Sequence, residues 1–250
     1  MDPSGFDEQR LESVDADTRL PVSGQDGPEP SVILQTRRRF LANVGMFGLA
    51  AALNMEFVLP DGTLVIPNAE GFLLVDMKKC QGCGTCMMAC ALAHTGVASY
   101  SLARIQIQQD SFADWPDDVF MAVCRQCENA PCVQVCPVGA NRPDGARGNV
   151  RVIDPDTCIG CKACIARCPF EPARIQWDAR RRKSQKCDLC VHTPFLGAPG
   201  GPGGTQACVS VCPVEAIAFT PHMPAQTPDG AAYEVNLRGP AWEKLGMTSQ

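Results

Sequence analysis

Apolar residues in this chain come in short alternating stretches. Ile105 and Ile107 alternate with Gln106 and Gln108, and the apolar stretch Val119 to Val123 follows soon after. Alternation with a period of two puts one face in a core and the other in water, so a strand pair is predicted here. A second alternation at Val150, Val152 and Ile153 follows the turn Asn141-Arg142-Pro143-Asp144-Gly145 and predicts a small hairpin. Long helices are not expected. From residue 221 onward Pro221, Pro224, Pro228, Gly230 and Pro240 interrupt the chain, with Trp242 and Leu245 near its end. Residues 221–250 are therefore read either as a tail that docks on a partner or as a plain surface tail.

Two stretches before residue 60 follow other rules. Residues 1–35 hold eight acidic side chains (Asp2, Asp7, Glu8, Glu12, Asp15, Asp17, Asp26 and Glu29) against Arg10 and Arg19, with almost no apolar periodicity. They read as a disordered acidic leader. Thr36-Arg37-Arg38-Arg39 then precedes an uncharged run of 16 residues, Phe40 to Met55. Crossing a bilayer takes about 20 predominantly apolar residues, and Asn43 and Asn54 weaken this run further. Paired arginines before a moderately apolar segment resemble a twin-arginine export signal, so residues 36–60 are read as that signal or a retained anchor. The resemblance implies a periplasmic protein that is exported already folded around its cofactors.

Composition narrows the function. The 250 residues are 45% hydrophobic and 20% charged, ordinary for a globular chain, and the net charge of −5 argues against nucleic acid as a partner. The leader carries −6 of that total, which leaves +1 for the rest. What departs from the ordinary is cysteine: sixteen of them, too many for packing alone.

The sixteen fall into four groups of four. The first is Cys80-x2-Cys83-x2-Cys86-x3-Cys90, and the second is Cys124-x2-Cys127-x4-Cys132-x3-Cys136. The third is Cys158-x2-Cys161-x2-Cys164-x3-Cys168, and the fourth is stretched, Cys187-x2-Cys190-x17-Cys208-x3-Cys212. Proline follows Cys136, Cys168 and Cys212, whereas Ala91 follows Cys90. Thiols two residues apart can wrap one corner of an iron-sulfur cubane, and Gly82, Gly84 and Gly160 let the backbone come close. The fourth cysteine of such a group faces away from its own loop and ligates a neighbouring cluster. Structural zinc needs four closing ligands but neither this third-cysteine spacing nor the Cys-Pro ending. A disulfide framework would not repeat ferredoxin spacing, and buried reduced cysteines are typically isolated. Four [4Fe-4S] clusters are expected.

From about residue 72 to residue 220 the chain resembles the four-cluster iron-sulfur subunit of dimethyl sulfoxide reductase and formate dehydrogenase-type oxidoreductases. The resemblance implies cross-ligation. Cys80, Cys83 and Cys86 would share a cluster with Cys212, and Cys187, Cys190 and Cys208 one with Cys90. Cys124, Cys127 and Cys132 would pair with Cys168, and Cys158, Cys161 and Cys164 with Cys136. The expected fold is α+β and loop-rich: duplicated two-cluster ferredoxin-like units with short strands and helices, the inner unit at about 118–178 inserted in the other. The run Gly197 to Gly204 between Cys190 and Cys208 reads as a mobile surface loop.

No catalytic site is expected. The thiols are all committed, no dinucleotide or phosphate-loop pattern occurs, and His94, His192 and His222 are scattered, so they read as packing or surface residues. The basic run Arg180, Arg181, Arg182, Lys183 and Lys186 reads either as a solvated turn or as a patch that steers a partner or raises a nearby potential. The resemblance implies a non-catalytic subunit between a membrane quinone or cytochrome partner and a molybdenum- or tungsten-pterin catalytic subunit. The alternative reading is a soluble periplasmic ferredoxin-like carrier that works alone.

Overall fold

The computed structural model describes residues 57–58, 64–115, 117–228, 230 and 232–244. The acidic leader, the twin-arginine motif with its apolar run to Met55, and Leu245 lie outside the described residues.

Short strands dominate. β1 (Phe57–Val58) pairs antiparallel with β2 (Leu64–Val65). Four further two-stranded antiparallel ladders follow: β3 (Phe72–Val75) with β10 (Ile217–Thr220), β4 (Gln106–Gln109) with β5 (Val119–Ala122), β6 (Asn141–Asp144) with β7 (Val150–Ile153), and β8 (Ile175–Asp178) with β9 (Lys183–Lys186). The two sequence-predicted strand pairs therefore form, Ile107 opposite Met121 and Arg142 opposite Val152.

These four ladders expose a repeat. A strand leads into each cysteine group: β3 into Cys80, β5 into Cys124, β7 into Cys158 and β9 into Cys187. Each group carries a helix: α1 (Thr85–Thr95), α2 (Pro131–Gln134), α3 (Ala163–Ala166) and α4 (Ala207–Ser210). Each group then leaves along a second strand, β4, β6, β8 or β10. Because β10 returns to β3, the last repeat closes on the first. The α1 helix is the longest of the described residues because Cys-Met-Met-Ala-Cys-Ala-Leu-Ala contains no breaker, and Gly84 and Gly96, both at positive φ, bound it.

The core fills the space among the repeats. Leu73, Met87, Ile105, Val119, Met121, Val150, Val152, Leu189 and Ile217 form one buried cluster that also contains Cys80, Cys86, Cys90 and Cys208. Burying each aliphatic side chain contributes about 1.5–3 kcal/mol. The thiols thus sit in an apolar medium. A last helix, α5 (Pro240–Glu243), ends the described tail.

That tail packs on its own domain. Tyr233 donates its hydroxyl to the Arg125 carbonyl at 2.6 Å, and Asp76 accepts from Leu237 N at 2.9 Å and from Arg238 Nε at 3.2 Å. The Gly197–Gly204 segment corrects the expectation of a mobile loop. Gly201 N donates to the Leu189 carbonyl, Gln206 Nε2 donates to Gly201 and Gly204, and a side chain at Gly200 would collide with Cys190. Gly200 and Gly204 serve close approach to backbone, while Gly197 and Gly203 have open space around them, a difference that composition alone cannot separate.

Candidate functional site

The C-x2-C loops share one backbone feature. The second residue between the paired cysteines takes positive φ in all four groups: Gly82 at 65°, Gln126 at 49°, Gly160 at 71° and Leu189 at 53°. This left-handed kink folds two thiols toward one side. Glycine adopts it freely in groups one and three. Gln126 and Leu189 adopt it against a strain of about 1 kcal/mol, which their burial offsets. Gln126 donates to the Cys187 carbonyl at 3.0 Å and accepts from Arg151 N at 2.7 Å, whereas Leu189 lies in the core.

The last cysteine of each group has its own repeated contact. Cys90 accepts from Arg104 N at 3.4 Å, Cys136 from Asn141 N at 3.4 Å, Cys168 from Arg174 N at 3.3 Å and Cys212 from Ala216 N at 3.2 Å. Each donor lies at or just before the exit strand. Such donors favour the thiolate over the thiol.

The sixteen thiols are all free, and they gather in four sets. Cys212 lies within electrostatic reach of Cys80 and Cys86, which also face Cys83. Cys90 faces Cys190 and Cys208, and Cys208 also acts on Cys187. Cys124, Cys127, Cys132 and Cys168 line one pocket. Cys136, Cys158, Cys161 and Cys164 line another. Among the described residues no His, Cys, Asp and Glu side chains converge tightly enough to hold a single ion.

Burial sets the chemistry of these thiols. Desolvation pushes Cys86, Cys127 and Cys190 up to about 12, and raises Cys187 and Cys208 well above the ordinary range. Without a cation to bind, these groups would be neutral at pH 7; iron would hold them as thiolates. Cys83 departs in the other direction, lowered by its hydrogen bond with Thr85. Cys83 and Cys161 are exposed, one in the first set and one in the third.

The second set tests whether an iron-sulfur cluster fits. Arg125, Arg151, Arg174 and Lys186 surround it, all buried, and none forms an ion pair among the described residues. Among the described residues Arg125 Nη2, Arg151 Nε, and Arg174 Nε and Nη1 have no hydrogen-bond partner. An unpaired buried cation costs several kcal/mol. A thiolate-ligated cluster, net negative and rich in acceptor sulfur, supplies the missing counter-charge. The residues fit that group.

None of these cations figures among the candidate residues from the sequence except Lys186. Arg125, Arg151 and Arg174 are isolated along the chain, and only the ladders bring them together. Arg180, Arg181 and Arg182 form the exposed turn between β8 and β9, while Lys186 turns inward and lies 3.8 Å from Cys124 Sγ. His94 is buried against Asp188, His192 bridges to Arg147 at 2.8 Å, and exposed His222 donates its backbone N–H to Thr220.

Comparison with known proteins agrees with this chemistry. Two models described as 4Fe-4S dicluster domain match residues 72–148 and 117–222. Protein NrfC of Escherichia coli is 36% identical over 187 residues, covering 74% of this chain and 79% of NrfC. The thiosulfate reductase electron transfer subunit PhsB of Salmonella typhi is 35% identical, covering 59% of this chain and 73% of its own. The NrfC homolog of Haemophilus influenzae is 30% identical over 188 residues, covering 74% of this chain and 79% of its own. With sixteen thiols in repeated loops and dicluster matches across all four groups, the chain belongs to the family of 4Fe-4S dicluster electron-transfer subunits of oxidoreductases.

Proposed function

We propose that this chain relays single electrons through four [4Fe-4S] clusters between a membrane quinone or cytochrome partner and a molybdenum- or tungsten-pterin catalytic subunit. Such clusters change charge by one electron with little change of shape. The chain's own part is to hold them, in sequence, out of water. The proposed ligand sets are Cys80, Cys83, Cys86 and Cys212; Cys187, Cys190, Cys208 and Cys90; Cys124, Cys127, Cys132 and Cys168; and Cys158, Cys161, Cys164 and Cys136.

The observation that carries this reading is that the sets follow one another without a break. Cys86 faces Cys208, so the first set adjoins the fourth. Cys187 faces Cys124, so the fourth adjoins the second. Packing of α2 against α3 joins the second to the third. The order is first, fourth, second, third, and the two terminal sets are those with an exposed thiol, Cys83 and Cys161. An electron has an entrance and an exit, and protein insulates the middle.

The pairing of Phe72–Val75 with Ile217–Thr220 supports an inner two-cluster unit of about 118–178 inserted in an outer one, the four-cluster domain running from 72 to 220. We assign residues 36–60 to twin-arginine export of the folded protein into the periplasm. We assign attachment to a separate anchor subunit that the tail helps to dock; among the described residues no helix is long and apolar enough to cross a membrane.

The test is cross-pairing. Cys212→Ser and Cys83→Ser should alter the same electron paramagnetic resonance signal in reductively titrated holoprotein, and Cys187→Ser a different one. If Cys212→Ser instead changes the signal that Cys187→Ser changes, the ligand sets are wrong. A purified native protein without about sixteen irons per chain would remove the relay altogether.

A further inference from the structure

The four sets differ sharply in the charge around them. At the first set Asp118 acts on Cys80, and Lys79 turns its ammonium to the Leu237 carbonyl at 2.9 Å. At the fourth set the buried carboxylate of Asp188 neutralises Arg104 at 2.7 Å. The third set has exposed Lys162, stacked on Trp177, and half-buried Lys183, which donates to the Cys158 carbonyl. Water screens both lysines.

The second set is different in kind. Arg125, Arg151, Arg174 and Lys186 are 7%, 1%, 6% and 2% exposed, and the hydrogen bonds they donate to protein oxygen end on backbone carbonyls: Gly230, Asn149, Glu128 and Arg151. The carboxylate that acts on Arg151 is exposed Glu128. Aromatic rings hold two guanidinium groups in place. Arg125 stacks on Tyr233 at 4.1 Å and Phe170 at 4.9 Å, and Arg174 on Phe120 at 4.8 Å and Phe170 at 5.5 Å.

The geometry points to Arg125, Arg151, Arg174 and Lys186 as potential-setting residues that make the cluster held by Cys124, Cys127, Cys132 and Cys168 the most easily reduced of the four. Reduction places one more negative charge inside that cage, and a buried, unscreened cation stabilises the reduced form more than the oxidised one. The donor is whichever partner feeds the relay, in a titration dithionite, which loses the electron that the cage gains. Since the second set lies inside the order rather than at its end, an electron arriving from either side comes to rest there.

This inference rests on the proposed ligand sets, and the experiment separates the two. Holoprotein is titrated with dithionite under argon, with iron counted per chain and the second-set signal assigned by Cys132→Ser. In the native protein that signal should appear at the highest potential. Lys186→Gln and, separately, Arg174→Gln should each cut its reduced-to-oxidised ratio at fixed potential at least tenfold, about 59 mV for a one-electron couple. Lys186→Arg should restore the ratio, and exposed Arg180→Gln should leave it alone. Full iron with an unshifted signal in both charge-removing variants, or a first signal belonging to another set, overturns the inference and leaves the relay standing. Loss of iron in one variant passes the decision to the other; loss in both, with Lys186→Arg also depleted, assigns these cations to assembly and overturns it as well. Native protein without the iron ends the relay reading itself.

Discussion

His94 Nε2 lies 3.5 Å from Asp188 Oδ1 with both side chains buried, while Arg104 holds the other carboxylate oxygen at 2.7 Å. Burial, then the Arg104 charge, pushes His94 down to about 4 from an ordinary 6.5. Burial works to raise Asp188, yet Arg104 and the hydrogen bond from His192 outweigh it and keep the carboxyl well below its usual range. At neutral pH the buried group is therefore a neutral imidazole beside one compensated ion pair.

The sign of the pH effect follows. Between 6.5 and about 4 the unfolded chain binds a proton at His94 that the folded chain does not, so stability falls as pH drops through that window. At about 1.4 kcal/mol per unit the full loss is about 3 kcal/mol. Asp188, depressed in the fold, loses its contribution at lower pH, below the ordinary carboxylate value. The anaerobic melting midpoint of the holoprotein should thus drop between pH 7.5 and 5, and drop less in His94→Gln. Equal drops would show that His94 is not the group responsible.

The tail is clasped at one carboxylate. Asp76 accepts from Leu237 N and Arg238 Nε, with side chains 2% and 4% exposed at the ion pair. Asp76→Asn removes the charge that Arg238 faces in a buried site, a change that typically costs about 3–5 kcal/mol. Limited trypsin digestion should then cleave after Arg238 in the variant and spare that bond in the native chain. Unchanged resistance would mean that Tyr233 and Lys79 hold the tail without Asp76.

Exposure of Cys83 and Cys161 gives the relay two vulnerable ends. Oxidants and alkylating agents act on accessible thiolate, and the Thr85 hydrogen bond lowers Cys83 further. Controlled exposure to ferricyanide should remove the first- and third-set signals before the other two, and iodoacetamide added at that stage should label Cys83 and Cys161 ahead of Cys127 and Cys190. Loss of all four signals at one rate would argue against protein insulation of the middle sets.

Much of the site was legible because cysteine spacing is a local code. The alternations at Ile105 and Val150 also announced their strands, since each partner lies within a short loop. What spacing could not reveal is where separate repeats touch. Phe72–Val75 meets Ile217–Thr220 across most of the domain, and neither segment carries a local mark of the other. The same holds for Arg125, Arg151 and Arg174, which stand apart along the chain and are buried together only by the ladders. Glycine marked close backbone approach at Gly82 and Gly160, whereas Gln126 and Leu189 share their positive φ with no such mark, because side-chain packing there replaces glycine's freedom.

Gly160 puts that distinction to use. Its φ of 71° is strained for any side chain, and an added Cβ would collide with the Arg182 carbonyl in the β8–β9 turn and touch Trp177 at 3.2 Å. The turn is pinned in its place: Asp178 accepts from Arg180 N and Arg181 N, and Arg182 itself sits at φ 55°. Neither side can yield cheaply, so the Cys158–Cys161 loop must move away from its cage. Gly139 offers the control, at φ 64° with nothing within 4 Å of an added Cβ. Gly139→Ala should cost only the conformational strain, about 1 kcal/mol, read as a small drop in melting midpoint at full iron. Gly160→Ala should lose the third-set signal and about a quarter of the iron, with the other three signals intact, because the loop shift is confined to one cage. Retention of that signal at native intensity would mean that the β8–β9 turn gives way, and that this cage is less rigid than its contacts imply.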